Sequence, residues 1–235
     1  DLAHKMSKSI GNIISVEHIM QYGMDAFVNY VYRISALGED IDFSWQSYFE
    51  RFNADLANGL GNLTSRTLTL CSKYFNSKIP VLHKDSLTED QTQIFHKLQS
   101  SLQIIKNSFD DFHIEEALKE LNSILSLIDK HITKEKPWEL NISEHAKKIE
   151  NILATAIAAL RFIGFSFYAF FPEKMQELLR TLGEDSENIY QFFALSEKVY
   201  DIKSGHSFAD VPKLFARLDV QTELKKLEED FSSQN

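Results

Sequence analysis

Two lysines three residues apart, Lys5 and Lys8, stand in a short Ser- and Gly-containing segment, His4-Lys5-Met6-Ser7-Lys8-Ser9-Ile10-Gly11-Asn12. A lysine ammonium is a compact charge on a flexible stem, so a pair of them can follow a polyphosphate as its charge redistributes and can stabilise its transition state most. Charge pattern alone favours a plain basic terminus. A second set lies further along. Asn62 and Arg66 are four residues apart and share one helix face. An amide and a forked guanidinium there could read the edge of an unstacked base, or form an ordinary solvated face. Lys130, Lys134 and Lys136, against Glu135 and with His131 beside them, make a short positive patch suited to phosphates. Pro137-Trp138 follows at once. An indole is either a platform on which a splayed base stacks or, more commonly, an anchor in a core.

The chain that must position these groups has 235 residues, 43% hydrophobic and 25% charged, which is the balance of a folded globular protein and not of a disordered or fibrous one. Its net charge of -9 excludes nucleic-acid affinity over the whole surface and gives no reason to expect a DNA partner. The excess is local: residues 183–235 carry 6 basic and 11 acidic side chains. Cys71 is the only cysteine, so no internal disulfide can form and a reducing, cytoplasmic setting fits. The eight histidines, His206 among them, are scattered without metal-ligand spacing, and no metal site is expected. The longest apolar stretch, residues 157–171, is interrupted by Arg161, closed by Pro172 and shorter than the roughly 20 residues a bilayer requires. It reads as a buried helix, with no membrane partner. The opening Asp1-Leu2-Ala3 has neither an initiator Met nor a secretory signal, as expected of a piece cut from a longer chain.

Helical spacing dominates and strand-like alternation is scarce, so the expected fold class is all-α: a helical bundle preceded by a short module. A short helix is expected from Val16 to Gly23 and a second from Asp25 to Ile34, ahead of Gly38 and an acidic turn. From Ser44, the stripe Phe49, Phe52, Leu56, Leu60, Leu63 and Leu70 predicts one helix of eight or nine turns. Ser86-Leu87-Thr88-Glu89 has the form of a capping box before a helix through Ile94, Leu98, Leu102 and Ile105. A third bundle helix from His113 should end in a loop over residues 130–140. An apolar helix from Ser143 should form the bundle's centre, Pro172 should start another that closes at Gly183, and a short one is expected between Glu187 and Val199. An irregular tail and a charged terminal helix, Val220 to Phe231, complete the chain. The expected division is residues 1–43 for the module and 44–235 for the bundle and tail.

Lys5-Met6-Ser7-Lys8-Ser9 with Gly11-Asn12 is the full KMSKS signature, and on it the chain resembles the class I aminoacyl-tRNA synthetases. Four further segments resemble the methionine enzymes of that class: Gly38-Glu39-Asp40-Ile41-Asp42-Phe43-Ser44; Asn53-Ala54-Asp55-Leu56-Ala57-Asn58 with Gly61-Asn62-Leu63; Pro137-Trp138; and Gly205-His206 with residues 211–219. The match is nearly continuous from Lys5 to Arg66, and residues 76–128 match only in helical pattern. The resemblance implies that the KMSKS loop, residues Lys5, Met6, Ser7, Lys8 and Ser9, closes over ATP, with Lys5 and Lys8 on the pyrophosphate and Mg present in the parent enzyme. It implies that Trp138 stacks on the first base of a CAU anticodon which Asn62 and Arg66 help to read. Lys130, Lys134 and Lys136 would contact phosphates of the methionine tRNA, and the tail, plugged by Leu214 and Phe215, would fold back toward the KMSKS module. Ala3 departs from the Gly usual two residues before the first motif lysine. No HIGH-type motif or nucleotide-binding strand precedes the loop, so this piece should bind the anticodon stem-loop without joining methionine to tRNA by itself and hold no cofactor tightly. A helical protein-interaction module and a leucine, isoleucine, valine or cysteine enzyme are the competing expectations.

Overall fold

A computed structural model describes residues 15–35, 43–185 and 198–233. The KMSKS residues, the acidic turn and most of the helix expected between Glu187 and Val199 lie outside those ranges. Nine α-helices are present among the described residues: α1 Val16–Tyr22, α2 Met24–Ile34, α3 Trp45–Arg51, α4 Asn62–Phe75, α5 Glu89–Asp110, α6 Ile114–Glu135, α7 Ile142–Ser166, α8 Pro172–Thr181 and α9 Val220–Ser233. The only extended pairing among them is an isolated bridge between Lys78 and Ser207.

Helix α7 is the axis of the bundle, with α4, α5, α6 and α8 packed around it. Nearly every residue from Ile149 onward in this helix is buried, as its all-round apolar sequence requires. By length and composition it could cross a membrane, yet 94% of its most apolar window is inside the fold. The one buried charge in that window, Arg161, is neutralised internally: Nε lies 2.7 Å from Glu184 Oε1 and Nη1 donates to the Lys198 carbonyl at 3.1 Å. Gly164 lets α8 approach closely, because a Cβ there would sit 2.9 Å from Leu179 Cδ2.

Three local expectations are corrected. The long helix from Ser44 begins as foreseen, with the Ser44 hydroxyl accepting from the Ser47 amide, but its middle, Phe52–Gly61, is a π-helix between α3 and α4. The apolar spacing does not mark the wider turn: Phe52, Leu56 and Leu60 recur every four residues, as they would along an α-helix. The widened segment is held by the returning tail. Asn53 donates to the Leu218 carbonyl and accepts from the Leu218 amide, both at 2.8 Å, and a Cβ on Gly61 would press on the Phe215 carbonyl at 3.1 Å. The cap of α5 is Thr88, with Gln91 as its reciprocal partner, and not Ser86, which closes a 3-10 turn. Helix α6 runs through to Glu135, so Lys130, His131 and Lys134 stand on a helix and not in a loop. Ile128 and Ile132 keep the apolar face continuous, and the helix stops only where Lys136 takes a left-handed φ of 44° ahead of Pro137.

At the other end of the bundle an aromatic cluster joins α1, α2 and α3: Tyr22 lies 4.7 Å from Phe49, and Trp45 stacks on Phe49 at 5.7 Å between ring centres. The tail returns to this cluster. Leu214 is buried, Phe215 packs against Phe52 and Phe171, and α9 lies on α3 with the Tyr22 hydroxyl donating to Glu223 at 3.1 Å.

Candidate nucleic-acid interface

Pro137–Glu139 is a single 3-10 turn, and its position is fixed from both sides. The left-handed Lys136 turns the chain out of α6, Pro137 is buried, and the Tyr74 hydroxyl on α4 donates to the Pro137 carbonyl at 3.1 Å. With its neighbour clamped, Trp138 is displayed: it is 38% exposed, which rules out the role of core anchor. The Arg66 guanidinium lies over the indole, 4.6 Å from the ring centre. Its other contacts come from α6, where Nη1 donates to Asp129 Oδ1 at 3.1 Å and both terminal nitrogens reach Thr133 Oγ1 at 3.3 Å. Asn62, one helical turn before Arg66 on α4, is exposed. Arg66 and Trp138, 72 positions apart in sequence, are thus brought into contact, with Asn62 on the same face of α4 as Arg66.

The three lysines do not form one patch. Lys136 sits at the turn beside Trp138, 3.1 Å from Glu139. Lys130 and Lys134 line a separate cleft of about 700 Å³ between α5 and α6. In that cleft Lys134 is paired with Asp90 of α5, and each holds the other in its charged form: the hydrogen bond between them lowers the carboxyl and raises the ammonium. Lys97 of α5 pairs with Glu120 of α6 at 2.6 Å; burial alone would push that carboxyl up, but the Lys97 and Ser101 hydrogen bonds outweigh it and hold it low. Lys130 has no ion pair among the described residues. His131 is 5% exposed, and burial pushes its imidazole below the ordinary histidine value against the opposing pull of Glu135 and Asp90, so the ring is neutral at pH 7.

Sequence reasoning named Asn62, Arg66, Trp138 and the lysines as candidates, and did not name Asp129, Thr133 and Tyr74, which set the guanidinium and the turn. Asp129 and Thr133 share a face of α6, a pairing that a correct end for that helix would have exposed. The α5 wall of the cleft, with Asp90 and Lys97, falls in the stretch that carried no functional expectation. No group of three or more His, Cys, Asp or Glu side chains among the described residues could hold a metal ion.

Comparison with known proteins gives a consistent result. The family "tRNA synthetases class I (M)" matches residues 3–68, and the "anticodon binding domain of methionyl tRNA ligase" matches residues 81–235. A methionine–tRNA ligase of Helicobacter pylori is 31% identical over 217 residues, covering 92% of this chain and 32% of the relative. That of Caldanaerobacter subterraneus is 32% identical over 226 residues, covering 95% and 35%. The chain therefore spans about a third of the length of these curated relatives. Among solved structures, Mycobacterium tuberculosis methionyl-tRNA synthetase in complex with methionyl-adenylate superposes with a TM-score of 0.81 at 23% identity over 90% of this chain and 41% of that one. The free form of that enzyme gives 0.78 at 20% identity, over 89% and 42%. At that identity the likeness is one of fold.

Proposed function

The chain belongs to the methionyl-tRNA ligase family and carries its anticodon-binding domain, and from that premise we propose that it reads the CAU anticodon stem-loop of methionine tRNA through Trp138, Arg66 and Asn62. The observation that carries this reading is the half-exposed Trp138, held out on a clamped turn with a guanidinium over its ring. One face of the indole is engaged by Arg66, so an extruded first anticodon base stacks on the other face or displaces the guanidinium to its own edge. The amide of Asn62 and the fork of Arg66 then pair with that edge, while Lys136, Lys134 and Lys130 approach the phosphates. Phosphate contacts fix the register of the RNA, and base contacts specify it.

The division into a module over residues 1–43 and a bundle over 44–235 belongs to the same proposal. In the parent enzyme, which joins methionine to its tRNA with ATP and Mg, Lys5 and Lys8 of the KMSKS segment stabilise the departing pyrophosphate. The chain by itself binds the stem-loop without aminoacylating it.

Titrating the chain with a CAU stem-loop at two salt concentrations, beside a stem-loop changed at the first anticodon base, tests the reading. Base–aromatic stacking is worth ~1–3 kcal/mol, so Trp138→Ala should weaken CAU binding by roughly 5- to 150-fold and erase most of the preference for the first base. Unchanged binding by Trp138→Ala would remove the stacking assignment. A second reading, a helical protein-interaction module, is favoured by one observation: Val16, Met20, Met24 and Val28 are exposed at four-residue spacing along α1 and α2. Absence of any salt-sensitive RNA binding would move weight to it.

A further inference from the structure

The α5–α6 cleft contains a group that packing does not explain. Position 131 lies on the buried side of α6 beside Ile128 and Ile132, where an apolar side chain would serve the core. It holds a histidine with both ring nitrogens buried and neither hydrogen-bonded. Leaving such groups unsatisfied costs on the order of 1–3 kcal/mol each, so the position bears a cost that the free protein does not offset. The ring borders a cleft whose volume, about 700 Å³, falls within the roughly 300–1,000 Å³ typical of ligand pockets.

The walls are suited to one kind of ligand. Lys97, Lys130 and Lys134 contribute three ammonium groups, and Gln93, Ser123 and Ser126 add neutral polar groups beside the apolar Ile94 and Leu127. Lys97 and Lys134 are held by carboxylates, but Lys134 and Asp90 are exposed, and ion pairs of that kind exchange partners at little cost. Lys130 is uncommitted. The combination of aliphatic side chains, a neutral imidazole with one donor and one acceptor nitrogen, and cations at the rim fits an unstacked nucleotide. The location fits as well. Asp129 and Thr133, which orient Arg66, alternate along α6 with Lys130, His131 and Lys134, which line the cleft. The two sites therefore lie around the same turns of one helix, a separation that neighbouring nucleotides of a splayed loop can span.

We propose that the α5–α6 cleft is a second nucleotide pocket, seating one unstacked base of the RNA loop whose neighbour stacks on Trp138, with the His131 ring turning to bring a nitrogen to the base edge and Lys130 on its phosphate. The proposal rests on the anticodon-reading function above. Asp90 acts as a gate, since its carboxylate must yield Lys134 before a phosphate can take its place. Neutralising it should therefore strengthen RNA binding.

The test is a titration of the 235-residue chain with the CAU stem-loop, intact and made abasic at each loop position in turn, with the histidine ring signals followed by NMR. Lys130→Gln changes an exposed side chain and keeps the fold; His131→Leu fills the same space without polar atoms, and its melting curve checks that it folds. Each should weaken binding by roughly 5- to 30-fold, the loss of one hydrogen bond or charged contact, and Asp90→Asn should tighten it. A single abasic position should cancel the effect of His131→Leu while leaving that of Trp138→Ala, and RNA should move the His131 ring signals. Binding that depends on Trp138 but is indifferent to Lys130→Gln, with His131 signals unmoved, overturns the pocket and leaves the anticodon reading standing. Shifted His131 signals without any Trp138 dependence overturn that reading and keep a nucleotide site. Adenosine monophosphate shifting those signals at concentrations as low as the RNA overturns the assignment to an RNA loop in favour of a free nucleotide.

Discussion

Arg66 and Arg161 are both engaged guanidinium groups, and burial separates what each does. Arg66 is a quarter exposed and shares its charge among Asp129, Thr133 and the Trp138 ring, contacts that an incoming base can exchange. Arg161 is 7% exposed and its partner Glu184 9%, so neither charge can find water when the other is removed. Arg161→Ala or Glu184→Gln should therefore each destabilise the chain by ~3–5 kcal/mol, while the apolar pair Arg161→Met with Glu184→Leu should recover most of that loss. Urea midpoints for the single and double variants check this. Equal, additive losses would mean that the charges do not act as a pair. From sequence Arg161 was legible only as an interruption of an apolar run, because Glu184 lies beyond the next helix. Trp138 presented the same difficulty in reverse. Its exposure depends on Tyr74 and on a left-handed Lys136, neither of which hydrophobic pattern reveals, and the family resemblance, not the pattern, drew attention to it.

Helices were legible wherever a periodic apolar face and a cap agreed, as in α1, α2, α7, α8 and α9, whose ends lie close to their sequence signals. The failures have different causes, local at the ends of α5 and α6 and distant at the π-segment. Before α5 the box was placed at Ser86, whereas Thr88, two residues on, pairs with Gln91 and caps the helix. The end of α6 was misplaced because a run of lysines resembles a loop, although Ile128 and Ile132 continue the stripe. The π-helix is the sharpest case. Its turns are held open by a tail some 165 residues away, through the two Asn53 hydrogen bonds to Leu218. Asn53→Ala removes both bonds at once and leaves the Leu218 amide and carbonyl without them. The amide of Leu218 should then exchange with deuterium much faster, by roughly 10-fold or more for each ~1.4 kcal/mol of local stability lost, while amides in the centre of α7 keep their protection. Unchanged exchange at Leu218 would show that Phe215 and α9 hold the tail without Asn53.

Across the whole molecule, aromatic and thiol groups that are acidic only at high pH are placed where ionisation is costly. Burial pushes the Cys71 thiol up to about 12, and it raises the Tyr48 and Tyr22 phenols above their usual value; Glu223 adds to the rise at Tyr22. Tyr22 and Tyr48 belong to the aromatic cluster that joins α1, α2 and α3, and Cys71 lies in α4, so the groups are spread over three helices. In each case the folded-state value lies above the unfolded one. Stability is therefore fully present below about pH 8, and it falls as pH rises from there toward 12, where the unfolded chain gives up protons that the folded chain retains. For Cys71 and Tyr48 the slope approaches ~1.4 kcal/mol per pH unit for each group once its unfolded-state form is ionised. Urea unfolding at pH 8, 9.5 and 11 should show a falling midpoint, and Cys71→Ala, although less stable at pH 8, should lose less between pH 8 and 9.5, where the thiol alone titrates. The native thiol should also react with a disulfide reagent at pH 8 far more slowly than the unfolded one. Equal pH slopes for the two proteins, or rapid labelling of the native chain, would mean that α4 opens to solvent and that the burial of Cys71 does not govern alkaline unfolding.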